Sequence, residues 1–133
     1  MSLIKQRSLA ELYALADQCS PDYPATLVKK LELLAEVQII LGRRAADAVR
    51  DYKKHYAARK TAYNEAYLAA DKHREQHAEL AVSEMRMIEA DLEADKVRWQ
   101  NAYESNSELI NTLKYSLKVL LDEYNNPANG RGS

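Results

Sequence analysis

His73 and His77 stand four residues apart, with Asp71 and Glu75 beside them. On a helix that spacing puts two imidazoles on one face, where they can chelate a transition metal. The order is His-Arg-Glu-Gln-His, so the Glu that a zinc-protease motif places directly after its first His is missing, and no third ligand follows. Between Glu84 and Asp95, carboxylates stand four residues apart at Glu89 and Glu93 and at Asp91 and Asp95. Two of them can divide acid and base roles only in a shielded pocket that separates their pKa values. A pair of helices offers no such pocket, so the run reads as a solvated face. Cys19, the single cysteine, excludes an intramolecular disulfide. Its neighbours Asp17 and Asp22 are the wrong surroundings for a thiolate nucleophile. No catalytic residue, metal ligand or cofactor is assigned, and the chain reads as non-enzymatic.

A different chemistry is suggested by Tyr52, Tyr56, Tyr63 and Tyr67, which interleave with Lys53, Lys54, Arg59 and Lys60. Aromatic rings stack on unpaired bases while Lys and Arg meet phosphates. Arg50, Lys53, Lys54, Tyr56, Arg59 and Lys60 would then form a face for single-stranded nucleic acid. The same spacing also suits a helix seam in which tyrosines bury the ring and keep the hydroxyl wet. A formal charge of −1 supplies no global attraction to a polyanion. The seam is the favoured reading and the nucleic-acid face the alternative. His55 is expected to pack or hydrogen-bond near the same seam.

The elements that would position these groups are helices. From Arg43 to Asn126 there is neither proline nor glycine, and these residues cost about 3 and about 1 kcal/mol in a helix interior. At 133 residues and 29% charged, the chain has room for one domain with helix seams and not for a thick core. Ser8 and Glu11 form a capping-box pattern that opens a short helix over 8–18. Ser20-Pro21-Asp22-Tyr23-Pro24 is a turn by composition, and Pro24 suits the first turn of the next helix.

Leu27, Leu31, Leu34, Leu41, Ala45, Ala48 and Tyr52 follow in steps of three and four, with Gln38 in the gap. A second seam runs through Met85, Ile88, Leu92, Trp99, Ala102, Leu109, Leu113 and Leu120, with Ile110, Leu117, Leu121 and Tyr124 as a neighbouring stripe. Asn106 falls on a core position, and a continuous helix through Asn101–Glu108 is expected. Arg43–Lys60 holds seven basic and two acidic residues, whereas Glu75–Asp95 holds seven acidic and one basic. A fold-back at the polar stretch 71–76 would lay these limbs side by side. The expected architecture is all-α: a single domain over 1–124 with hairpin arms 25–70 and 75–124, then a flexible tail over 125–133. Leu34, Ile39, Ile40, Trp99, Ile110, Leu117 and Leu121 are the candidate face for a second copy or another protein. No stretch is apolar enough to span a membrane, and no signal peptide is visible, so a cytosolic location is expected.

The segments Tyr63–Ala70 and Arg74–Ala81, the acidic-alanine run to Trp99 and the closing Leu109–Lys114 resemble a loose group of small helical proteins encoded by tailed bacteriophages. The likeness spans about Arg43 to Tyr124. It implies a helical hairpin, a phage or prophage origin, an accessory role near early replication or recombination genes, and a phage or host protein as partner. In that group a glycine-containing turn sits where this chain has Asp71–Arg74, and this chain lacks the glycine. The resemblance brings no catalytic activity with it.

Overall fold

The Ser8 hydroxyl accepts a hydrogen bond from the Glu11 backbone N–H at 3.2 Å and so starts the first helix where the capping pattern requires. A computed structural model describes residues 6–125, so the tail from Asn126 onward lies outside the described residues. Among those described, the chain forms four helices: α1 Leu9–Asp17, α2 Pro24–Ala69, α3 Arg74–Ala81 and α4 Ser83–Asn125. Pro24 opens α2, where its missing N–H costs nothing. α4 runs unbroken past Asn101–Glu108. No helix among the described residues is long and apolar enough to cross a membrane.

The chain divides into two compact units, one taking in residues up to Leu41 and from Ala102 onward, the other Gly42–Asn101. In the first unit, Leu12 and Ala16 of α1 are buried together with Leu27, Leu33, Leu34, Val37 and Leu41 of α2 and Leu113 of α4. Leu33 and Val37 flank the seam on α2, and their burial widens its apolar stripe. The Lys30 ammonium donates to the Ala16 carbonyl at 2.8 Å and reaches the Cys19 carbonyl at 3.5 Å. A cation there adds to the Cys19 N–H bond that the Ala16 carbonyl already accepts and opposes the negative end of the α1 dipole. The turn between α1 and α2 is tied by Thr26, whose hydroxyl donates to the Ser20 carbonyl at 2.6 Å.

In the second unit a long stretch of α2 packs against α3 and the first part of α4. Ala78 and Val82 are its fully buried apolar side chains. The turn overlaps the stretch expected from its polarity, but it starts one residue earlier and is shorter, covering residues 70–73. His73 adopts φ 52° and ψ 47°, in the left-handed region, and precedes α3. It occupies the place where a glycine would carry no steric penalty. A second break, at Val82, separates α3 from α4 and was not expected. The bidentate Glu79–Arg86 ion pair, at 2.9 Å on each arm, spans it.

Replacing His73 with Gly is therefore expected to stabilise the protein by about 0.5–1 kcal/mol, because the left-handed conformation ceases to strain a side-chain-bearing residue. Thermal unfolding of the full chain should show a rise of a few degrees, whereas His73→Ala should give none.

Candidate functional site

Both long helices carry polar residues at core positions. Along α2, Gln38, Ala45, Tyr52, Arg59 and Ala66 recur at intervals of seven, as do Leu34, Leu41, Ala48, His55 and Ala62. Along α4 the two series are Met85, Leu92, Trp99, Asn106, Leu113 and Leu120, and Glu89, Lys96, Tyr103, Ile110, Leu117 and Tyr124. Apart from Tyr103 and Tyr124, every one of these residues is buried or half-buried. The second α4 series corrects the sequence expectation, which put Ile88 and Leu109 on the seam. Ile88 is 51% exposed, and its neighbour Glu89 faces inward in its place.

In the second unit Glu89 meets Arg59. The Arg59 Nε donates to Glu89 Oε1 at 2.7 Å, with side-chain exposures of 11% and 16%. The Glu89 bond raises the Arg59 pKa still further, against the opposing effect of burial. The alternative, nucleic-acid reading put Arg59 on an open basic face, and the structure has it in the seam, paired with the acidic limb. The signal was present in the sequence, since Arg59 lies seven residues after Tyr52, itself seven after Ala45. His55 bonds through Nε2 to the Met85 carbonyl at 2.7 Å. The Lys96 ammonium sits 4.3 Å from the Tyr52 ring centroid, and the Arg44 guanidinium 4.9 Å from that of Trp99. In the Arg44–Trp99, Tyr52–Lys96 and Arg59–Glu89 contacts, higher residue numbers on α2 meet lower ones on α4.

The tyrosines are engaged in the same way. Tyr52 stacks on Tyr56 with centroids 6.2 Å apart, and Tyr63 on Tyr67 at 6.4 Å. Arg59 and Lys60 each lie 5.1 Å from the Tyr56 centroid, and Arg74 lies 5.8 Å from that of Tyr67. These rings and cations attract one another through the ring quadrupole. A base would have to displace them in order to stack. Partial burial, and then the negative charges of Glu93 and Glu89, hold the Tyr52 phenol above its ordinary pKa. Arg50 is paired along its own helix with Asp47 at 3.3 Å and Asp51 at 3.6 Å. Lys53 and Lys54 are exposed.

In the first unit Asn106 is 4% exposed and makes the other polar contact of the seam. Its Nδ2 donates to the Leu34 carbonyl at 3.1 Å and to Gln38 Oε1 at 2.6 Å. Gln38 Nε2 in turn donates to the Tyr103 carbonyl at 3.3 Å. Asn106 Oδ1 is buried without a hydrogen-bond partner. Of the residues proposed for a partner face, Leu34 is in the core and Trp99 is half-buried beneath Arg44. Ile39 and Leu121 are exposed, while Ile40, Ile110 and Leu117 are half-buried.

Among the described residues no group of three or more His, Cys, Asp or Glu could hold a metal ion, and His73 and His77 gain no third ligand. No protein-family model, curated protein or solved structure matches this chain.

Gln38→Leu is expected to cost about 1–3 kcal/mol, since it removes the acceptor of a buried Asn106 N–H. Gln38→Leu combined with Asn106→Leu should recover most of that loss, because both polar partners are then replaced by apolar ones. Urea denaturation of the two variants beside the wild type checks both values.

Proposed function

We propose that the protein is a non-catalytic helical interaction protein that works through contacts with other proteins, first with further copies of itself. The observation that carries this reading is where the polar and apolar groups have gone. The side chains that could do chemistry, Arg59, Glu89, His55, Asn106 and Lys96, are engaged with one another or with backbone and rings inside the seams. Large apolar side chains meanwhile face solvent: Ile39, Leu121 and Tyr115 in the first unit, and Leu68, Leu80, Met87 and Ile88 in the second. Exposed apolar surface of this kind is what a protein-binding helix presents. In this reading the long helices form an antiparallel hairpin, supported in the second unit by the Arg44–Trp99, Tyr52–Lys96 and Arg59–Glu89 contacts, whose residue numbers rise on α2 as they fall on α4.

The phage-like sequence pattern supports a phage or prophage origin, with action in the host cytosol on another phage protein or a host protein. Binding of single-stranded nucleic acid is the competing reading. It is weakened by the cations that already cover the tyrosine rings, which leaves Lys53 and Lys54 as its main support.

Two measurements separate the readings. Light scattering at micromolar concentration is expected to return a dimer or larger, and Ile39→Glu with Leu121→Glu is expected to lower that mass; a monomer in the wild type contradicts self-association. A labelled single-stranded oligonucleotide is expected to show no binding at low salt. Binding that weakens steeply with salt, and is lost when Lys53 and Lys54 are both changed to Gln, would favour the nucleic-acid reading instead.

A further inference from the structure

Arg59, Lys60, Tyr63, Asn64, Glu79 and Arg86 line one recess of about 320 Å³ in the second unit. This lies near the lower end of the roughly 300–1,000 Å³ typical of small-molecule sites. Both arginines are held in place by carboxylates on one edge. Arg59 gives its Nε to Glu89, and Arg86 gives its Nε and Nη2 to Glu79. Arginines anchored in this way are already ordered, so a ligand meeting their other N–H groups loses less to side-chain ordering.

From this arrangement we infer that the recess is an oxyanion site that takes a phosphate group, free or as the monoester of a small organic molecule. Charge supports the assignment. Three cations and the single carboxylate of Glu79 line the recess, and Glu89 neutralises part of the Arg59 charge from behind. A phosphate monoester carries about −1.5 to −2 at neutral pH. The number of donors separates phosphate from carboxylate. The Nη edge of Arg59, Arg86 Nη1, the Lys60 ammonium, the Tyr63 hydroxyl and the Asn64 amide offer more N–H and O–H groups than the two oxygens of a carboxylate can use. The proposal goes beyond the interaction reading and uses none of the exposed apolar residues, so each can fail without the other.

The test is NMR titration of the full-length ¹⁵N-labelled chain with inorganic phosphate, phenyl phosphate and acetate, at constant ionic strength made up with chloride. Saturable shifts are expected at the Arg59 and Arg86 Nε–H and the Asn64 side-chain amide with both phosphates, and not with acetate. Lys60→Gln, an exposed change that leaves both ion pairs intact, is expected to weaken the phosphate response about tenfold. Tighter binding of phenyl phosphate assigns the site to an ester, and tighter binding of inorganic phosphate assigns it to the free ion. Linear shifts without saturation, an equal response to acetate, or an unchanged affinity in Lys60→Gln would overturn the assignment.

Discussion

A guanidinium and a carboxylate at core positions of two facing helices constrain the second unit more than any apolar contact in it. Arg59 and Glu89 must be opposite each other, because either one left unpaired in the seam would carry a heavy desolvation penalty. Leucines tolerate a slip along the helix axis, since one apolar side chain replaces another, but a buried ion pair does not. With that register set, Lys96 falls opposite the Tyr52 ring and Arg44 opposite Trp99. In the first unit Asn106 and Gln38 exert the same kind of constraint by a cross-helix hydrogen bond, weaker than an ion pair but more deeply buried.

The helical class was legible from the missing breakers, and the α1 cap from Ser8 and Glu11. Leu27, Leu34, Leu41 and Ala45 were legible from their spacing, and all four are buried. The inward face of α4 was harder to read. Hydropathy favours Ile88 over Glu89, and only the partner on α2 reverses that preference. A sequence considered one helix at a time does not contain the partner. Arg59 is hard to place for a related reason: it stands among Lys53, Lys54 and Lys60 and so looks like one more surface cation, although its seven-residue spacing from Tyr52 puts it in the seam. The opposite charges of the two limbs were visible, but Arg50 and Arg98 turned to acids on their own helices. Neighbours three or four residues away are always within reach, and those across a seam only sometimes. His73 in the left-handed region could not be foreseen from a wholly polar stretch without glycine.

These constraints bear on function through what they remove. In the proposed reading, a polar group already engaged in a seam is less available to an extended polyanion. The tyrosines illustrate this, since their spacing would suit a base-stacking platform, yet the cations that would accompany such a platform lie over the rings instead. Under that reading, what a partner would meet is apolar surface on the outer faces, together with one small recess where anchored arginines keep part of their donor capacity.

The claim that a buried ion pair sets the register of the second unit is tested most directly by a double-mutant cycle of Arg59→Met and Glu89→Leu, measured by denaturant unfolding of the full chain. Each single change should cost about 3–5 kcal/mol, and the double variant should lie far closer to wild type than the sum of the two. Single changes costing less than about 0.5 kcal/mol each and adding in the double variant would mean that the pair is a solvated surface contact and that the register is set elsewhere.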